Sequence, residues 1–463
     1  MKFKASEIIE ACQGKLLQGS PEQPVSGFAI DSRLVKPGDL FVPFEGERTD
    51  GHLYIKDVSD RGAAGAFHKL AKAPDPAIPA DFMLIGVEDT LTALQQLAAV
   101  YRKRFELTVV GITGSSGKTT TKDFIAGVLS AQYKTLKTPG NLNNEIGLPL
   151  TILQLEQDHQ VAVLEMGMSA GGEIKTLCEI GDPSIGVLTN IGEAHIELLG
   201  SIEAIAEAKG ELLDYLGSGG VAVLNGDDPR LLEIRKRYPG KAYVYGYNQG
   251  DIKGLVLSQK GEKSFFRVRF PDKSEGWFES PLPGRESVSN ALAALTVGYI
   301  LKLTLKQMQE GLLSSQTAEG RLQVLDRLER FKIIDDTYNA NPASVQAALK
   351  VLAELGGEKT VAVLGDMLEL GAESPEAHRE TGRFTAESGI GCLVTVGELA
   401  RNIAEEARSL GMEVYPCSTH DEALAVINSL ALHPGWYVLV KGSRGMKMEK
   451  IVQSLIEEEG AGG

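Results

Sequence analysis

Cysteine is scarce in this chain, with four residues in 463: Cys12, Cys178, Cys392 and Cys417. Their scattered positions fit neither a metal-ligand nor a disulfide spacing, which leaves buried or idle thiols in a reducing compartment. Long apolar runs are missing too, so no segment is expected to cross a bilayer. The amino terminus, MKFKASEIIEACQG, lacks the uninterrupted apolar core of a secretory signal, and a cytoplasmic location is expected. Positive charge is in deficit. A net charge of −15 argues against a nucleic-acid binder, which carries a basic patch. It does not exclude an anionic small substrate, because such a site needs only local cations, backbone N–H groups and a metal. Short-period repeats and low-complexity tracts are also absent.

What is present is organised around Thr108–Thr121, TVVGITGSSGKTTT. Thr108, Val109, Val110 and Ile112 form a β-branched run that predicts a buried strand. Helical spacing follows, with Phe124, Ile125, Val128 and Leu129 on one face. Strand, glycine-rich loop and helix N-terminus make a phosphate site: Gly114 and Gly117 let the backbone turn its N–H groups inward, and the helix dipole favours an anion. Lys118 can reach the outer phosphates and Thr119 can offer a hydroxyl to Mg²⁺. The first glycine of the usual phosphate-loop spacing would fall at Ile112, whereas the glycine here is Gly111. The motif lies in its required strand–loop–helix context, so binding of a nucleoside triphosphate is expected.

The length predicts about three domains, each with its own core. Residues 1–87 read as a small α/β unit, with a strand at Leu40–Phe44 and a last strand at Phe82–Val87. A weakly structured stretch, Ala71–Ala80, carries Pro74, Pro76 and Pro79. A helix over Leu91–Phe105 leads to the phosphate loop. Residues 88–318 repeat an aliphatic run ending in polar residues: Val161–Leu164 before Glu165, Ile185–Leu188 before Thr189-Asn190, and Val221–Leu224 before Asn225-Gly226-Asp227. This predicts a P-loop ATPase-like, doubly wound parallel sheet with ligands at the strands' carboxyl ends. Ile252–Phe278 alternates apolar and polar residues and predicts an antiparallel extension; Ser287–Leu303 predicts an alanine-rich helix. Residues 319–463, with strands at Ile333-Ile334, Val361–Leu364, Leu393–Val396 and Tyr437–Val440, read as a second doubly wound, Rossmann-like domain without a phosphate loop. The fold class is therefore α/β throughout.

Several polar residues could carry chemistry. Glu165, at a strand end, is suited to Mg²⁺, a hard cation that prefers oxygen ligands; a solvated carboxylate is the plainer alternative. His195 could ligate or be a hydrogen-bonded bystander, and Lys209 reads by itself as a solvated helix lysine. Asn141, Asn143 and Asn144 form an amide-dense loop that either satisfies its own backbone or grips a polar ligand. Lys441-Gly442-Ser443-Arg444 could bind a carboxylate through an arginine fork or stand as a basic loop in water. Gly217-Ser218-Gly219-Gly220 precedes a strand and is a turn, not a dinucleotide fingerprint.

Taken together, these segments resemble the Mur ligase family over nearly the whole chain. The resemblance rests on Asp31-Ser32-Arg33, Gly38–Pro43, Gly46–His52, Gly111–Thr120, Thr138–Pro149, Asn339-Ala340-Asn341-Pro342, Gly365–Gly371 and Lys441–Arg444. A first glycine at position 111 is normal in that family. The resemblance implies that the first domain holds a UDP-sugar through Ser32, Arg33, Asp50 and His52, with Asn141, Asn143 and Asn144 also on this substrate. It implies ATP binding by Gly114, Ser115, Ser116, Gly117, Lys118, Thr119, Thr120, Asn290, Arg321 and Asp336, and two Mg²⁺ ions served by Thr119, Glu165, His195 and Lys209. Lys209 falls where relatives carry a carbamylated lysine. Lys118, His195 and Lys209 are the implied catalytic groups. Asn339, Asn341, Lys441, Ser443 and Arg444 are the implied residues for an incoming dipeptide.

Within the family, the Asp-Asn-Pro-Arg motif of the diamino-acid-adding ligases and the glycine-rich start of the alanine-adding ligases are both missing. The implied reaction is therefore ATP-dependent addition of D-alanyl-D-alanine to UDP-N-acetylmuramoyl-tripeptide through an acyl phosphate, by a monomer with no nucleic-acid or membrane partner. The rivals are a nucleotide switch that makes no peptide bond, and a folate polyglutamylating ligase, which lacks a UDP-sugar domain.

Overall fold

The computed structural model describes residues 3–46, 49–193, 196–326 and 330–460. The chain divides into two compact units. The first comprises Met1–Gly111, Tyr133–Met168 and Gly172–Ile185; the second comprises Ile112–Gln132, Ser169–Gly171 and Gly186–Gly463.

The first unit opens with a five-stranded sheet in the order Lys15–Gln18, Met83–Val87, Gly65–Lys69, Asp39–Phe41, Gly27–Ala29. The first pair is antiparallel and the other three are parallel. All of Met83–Val87 is buried, as a strand covered on both faces requires. Phe41, Ile55, Val58, Ala66 and Leu84 share a core there. Helix Thr90–Arg102 begins where Asp89 accepts Thr92 N–H, an N-cap that satisfies one of its free donors. Strands Thr108–Thr113, Val161–Glu165 and Thr135–Lys137 follow side by side in that order, the last two parallel.

In the second unit, strands Ile185–Leu188, Val221–Asn225 and Lys241–Gly246 lie next to one another and continue into Ile252–Lys260, Lys263–Arg269 and Glu275–Ser280. The last three are joined by antiparallel pairing, Lys263–Arg269 lying between the other two, the extension that the alternation over 252–278 predicts. Helix Arg285–Ile300 packs on helix Lys118–Ser130, and its buried Ala291, Ala293 and Ala294 let the two approach closely.

A six-stranded sheet closes the chain, in the order Gln323–Leu325, Lys332–Asp336, Tyr437–Lys441, Thr360–Gly365, Cys392–Val396, Val414–Cys417. Only its first pair is antiparallel. Successive side chains on a strand face opposite ways. Ile333, Val361, Val363, Val438 and Val440 accordingly enter one core, while Ile334, Ala362, Leu364 and Leu439 enter another. Helices therefore cover both faces. The last strand in sequence, Tyr437–Lys441, is inserted between Lys332–Asp336 and Thr360–Gly365, so the direction of winding switches there, the place where such sheets bind ligands at the strands' carboxyl ends. All four cysteines are buried and none is in a disulfide. Among the described residues, no helix is long and apolar enough to cross a membrane.

Candidate active site

The phosphate loop forms as the sequence predicts. Strand Thr108–Thr113, with Val109, Val110 and Ile112 fully buried, ends in the loop, and helix Lys118–Ser130 begins immediately after Gly117. Both loop glycines have positive φ, 151° at Gly114 and 76° at Gly117. A Cβ on Gly114 would stand 1.9 Å from Thr189 Oγ1, and one on Gly117 2.7 Å from Asn290 Oδ1. Neither position admits a side chain.

The segment after strand Ile185–Leu188 braces this loop. Thr189 Oγ1 donates to Ser116 O at 2.6 Å, and Asn190 Oδ1 accepts Ser116 N–H at 2.9 Å. Asn190 Nδ2 donates to Ser116 Oγ at 2.9 Å, and Ser115 Oγ lies 2.8 Å from the Gly192 N–H that donates to it. Lys118 Nζ donates to Gly114 O at 2.6 Å, so its ammonium already lies over the curled backbone. Thr121 Oγ1 donates to Asn290 Oδ1 at 3.1 Å. Thr120 is half-buried in the first helical turn.

Next to Asn190 opens a cavity of about 260 Å³ lined by Asn225, Asp227, Tyr247, Arg285 and Ser289. The Arg285 guanidinium lies 4.3 Å from the Tyr247 ring centroid, an attraction between a cation and a ring face. Asp227 fixes the wall by accepting N–H groups from Tyr247 and Asn248 at 2.8 and 3.0 Å. A polar cavity with an aromatic plate, adjoining a phosphate loop, suits a nucleoside. Asn190 and Asp227 stand at the strand ends where a ligand is expected, whereas Tyr247 and Arg285 carry no spacing signal that links them to this site.

Lys209 departs from the solvated lysine that its helix position suggests. It is 1% exposed on helix Ile202–Leu216. Burial, with Lys118's charge adding to it, holds its ammonium well below an ordinary lysine. Glu165 is likewise buried, at 2% exposure. Its N–H donates to Thr138 Oγ1 at 3.0 Å, and its Oε1 accepts Asn143 Nδ2 at 2.8 Å. The amide-dense loop thus divides its work: Asn143 reaches Glu165, Asn144 Oδ1 accepts Gly147 N–H at 2.9 Å at a helix start, and Asn141 is exposed. His195 lies outside the described residues.

The carboxyl edge of the six-stranded sheet gathers the remaining candidates. Arg321 Nη2 donates to Thr119 Oγ1 at 3.1 Å, and its guanidinium lies 3.8 Å from the Tyr338 ring centroid. Asp336 Oδ1 accepts Leu322 N–H at 3.1 Å, and its Oδ2 takes Lys441 Nζ at 2.5 Å. Burial pushes the Asp336 carboxyl up while the Lys441 and Arg321 charges oppose the shift. Lys441 also donates to Asn339 O at 2.9 Å, so its buried ammonium is engaged within the fold. Asn341 caps helix Pro342–Gly356 by accepting Ser344 N–H at 2.8 Å. Ser443 Oγ donates to Ala340 O at 3.2 Å and accepts Leu368 N–H at 2.8 Å. Arg444 alone of this set projects a largely exposed cation, 3.3 Å from Glu449.

In the first unit, Arg33 forms a fork on Asp31 at 2.9 and 2.6 Å, which holds that carboxyl down to about 2. Ser32 is half-buried beside it. Asp50 Oδ1 accepts His52 N–H at 3.0 Å and lies 2.7 Å from His52 Nδ1. Lys72 joins Asp50 to Glu45, 2.6 Å from the latter. Asp50 and His52 are therefore bound to each other and to a lysine. Leu53 and Tyr54, which follow them in the chain, are exposed.

Residues 24–102 match the catalytic domain of the Mur ligase family, 112–298 the Mur ligase middle domain, and 320–444 the Mur ligase glutamate ligase domain. The chain is 39% identical to UDP-N-acetylmuramoyl-tripeptide–D-alanyl-D-alanine ligase of Bacillus subtilis (strain 168), over 99% of both chains. It is 34% identical to the Escherichia coli (strain K12) protein of the same name, over 98% of both. Among solved structures, MurF from Acinetobacter baumannii superposes with a TM-score of 0.90 at 33% identity over 99% of both chains. MurF ligase from Thermotoga maritima in complex with ADP superposes at 0.83 and 29% identity, over 95% of this chain and 99% of that one.

Proposed function

The chain belongs to the Mur ligase family, and we propose that it is the ATP-dependent ligase joining D-alanyl-D-alanine to the peptide carboxylate of UDP-N-acetylmuramoyl-tripeptide, with release of ADP and phosphate. It would do so as a cytoplasmic monomer. Residues 1–87 would bind the UDP-sugar, 88–318 ATP, and 319–463 the dipeptide. The observation that carries the reading is Lys118 poised over a glycine-built anion loop, in a chain whose relatives of that name match it from end to end.

The chemistry explains the parts. A carboxylate resists attack by an amine because its carbonyl carbon is electron-rich and oxide is a poor leaving group. Transfer of the γ-phosphoryl group to that carboxylate makes an acyl phosphate, which leaves readily as phosphate. Lys118 and the loop N–H groups would neutralise charge on the phosphoryl oxygens as they move, the main contribution in such reactions. The free amine of the dipeptide then attacks the acyl carbon. The oxyanion formed needs the same cationic surroundings, and collapse expels phosphate. The cavity at Tyr247 and Arg285 would hold the nucleoside, with Asn290 beside the loop. Arg321 would approach the phosphates, and Asp336 would support its segment through Leu322 N–H.

The donor set suits Mg²⁺, since Thr119 offers a hydroxyl and Glu165 a buried carboxylate, both hard oxygen ligands. His195 would join them, as would Lys209 in its carbamate form, which a lysine of depressed pKa adopts more readily. When bound, the ions would neutralise phosphoryl charge. Asn143 would keep the Glu165 carboxylate oriented. In the first domain, Arg33 and the Asp50–His52 pair would meet the UDP moiety.

Phosphate release tests the reading. It should require both UDP-N-acetylmuramoyl-tripeptide and D-alanyl-D-alanine, and ¹⁸O placed in the peptide carboxylate should appear in the inorganic phosphate. Vigorous hydrolysis without either substrate would favour a nucleotide switch instead.

A further inference from the structure

His378 is a buried titratable residue that the mechanism above leaves unused. It sits on helix Ser374–Glu387 with 0% exposure. Its Nδ1 lies 2.6 Å from Ser374 O, one turn back, and its Nε2 lies 3.0 Å from Met367 N. A carbonyl oxygen only accepts and a backbone N–H only donates, so the ring is neutral, with hydrogen on Nδ1 and a lone pair on Nε2. The imidazole is thereby committed to one task, that of accepting Met367 N–H.

That N–H belongs to the loop following strand Thr360–Gly365, and the next N–H of the same loop is pinned elsewhere. Leu368 N–H donates to Ser443 Oγ, and Ser443 N–H donates to Asp366 O at 3.0 Å. Beside these pins, the Leu368 side chain is exposed. It lies close to the backbone beyond Arg444: a Cβ on Gly445 would come 2.9 Å from Leu368 Cδ1. An exposed apolar side chain thus lies against the backbone that follows a largely exposed arginine, on two loops tied together by Ser443, while His378 anchors the first of them to helix Ser374–Glu387. A dipeptide of methyl side chains ending in a carboxylate presents the complementary pair of groups.

We propose that His378 is a positioning residue for the incoming dipeptide, fixing the Asp366–Leu370 loop so that Leu368 meets an alanyl methyl group while Arg444 takes the terminal carboxylate. This rests on the function proposed above. Steady-state kinetics of the full-length enzyme with ATP, UDP-N-acetylmuramoyl-tripeptide and D-alanyl-D-alanine provide the test. His378→Leu leaves Met367 N–H without its acceptor inside the protein, so the KM for D-alanyl-D-alanine should rise about tenfold. The KM for ATP and kcat at saturating dipeptide should stay within about twofold. His378→Gln, whose side-chain carbonyl can accept the same N–H, should recover most of the dipeptide affinity. An unchanged dipeptide KM in His378→Leu overturns the proposal. So does a parallel loss in all three KM values and in melting temperature, the mark of a merely structural role. Should His378→Leu fail to fold, Leu368→Ser decides, because that exposed side chain supports no core: an unaltered dipeptide KM overturns the proposal and a raised one supports it. If the wild-type protein shows no dipeptide-dependent phosphate release, the proposed function fails instead, and the two outcomes are separable.

Discussion

Arg321 donates from Nη2 to the hydroxyl of Thr119 at 3.1 Å, with the Tyr338 ring beneath its guanidinium. The residue that the C-terminal segment sends to the phosphate loop thus rests on the hydroxyl proposed as a Mg²⁺ ligand. Gly320, with φ of 68°, and Leu322, at 54°, flank it in left-handed conformations, so the arginine is carried on a sharply folded connection. Arg321→Ala should lower kcat by about a hundredfold, the effect of losing one donor aimed at developing phosphoryl charge. Melting temperature should change little, because the guanidinium supports no core. A kcat within a few-fold of wild type, measured by coupled ADP release, would remove Arg321 from the site.

Lys118 carries the strongest prediction. Its ammonium donates to the loop carbonyl of Gly114, and it stands half-exposed at the helix start. Lys118→Ala should leave the circular dichroism spectrum and unfolding midpoint near wild type, because helix and strand are held by Val109, Val110, Phe124 and Ile125 in the core. Ligation should fall at least about a thousandfold, as expected for a cation neutralising a transferring phosphoryl group. Near-normal turnover would reject the assignment.

Lys209 makes a pH-dependent prediction. Its folded pKa is depressed by burial, so above that value the unfolded chain binds a proton that the folded chain does not. Stability should therefore rise with pH until the ordinary lysine value near 10.4 is passed. Urea unfolding of wild type in bicarbonate-free buffer should show this rise, and Lys209→Met should flatten it. In bicarbonate, mass spectrometry of the native protein should find one added CO₂ on wild type and none on the variant. Equal slopes for the two proteins would show that Lys209 titrates as a solvated group.

The strands and the phosphate loop were legible because their signals are local. Runs such as Val161–Leu164 and Val361–Leu364 are apolar enough to be buried on both faces, and Gly117-Lys118-Thr119 stands where strand meets helix. What stayed illegible depends on contacts between distant residues. Nothing near Asn190 in the sequence says that its amide clasps Ser116, 74 positions earlier. Nothing near Arg285 says that it stacks on Tyr247. Lys209 looked solvated because a helix lysine usually is; only the packed fold shows that this position faces inward. Likewise, the motif around Lys441 and Ser443 does not show that their polar atoms bond to Asp336, Asn339, Ala340 and Leu368.

The Lys441–Asp336 pair gives a last prediction that separates ligand binding from architecture. The two side chains meet at 2.5 Å with 3% and 11% exposure, so removing one charge strands the other in a dry site. Lys441→Met should cost about 4 kcal/mol at neutral pH, in the range for breaking a buried pair. Asp336 is then a buried carboxyl without its ammonium, and its pKa must rise further above the unfolded value. A group whose folded pKa is raised contributes stability at low pH and loses it as pH rises through that pKa. Lys441→Met should therefore regain stability relative to wild type as pH falls from neutrality toward the carboxylate range. Asp336→Asn with Lys441→Met should be more stable than Lys441→Met alone and lose this pH dependence. If Lys441→Met instead unfolds like wild type and only weakens dipeptide binding, the ammonium serves the substrate and the ion pair is dispensable.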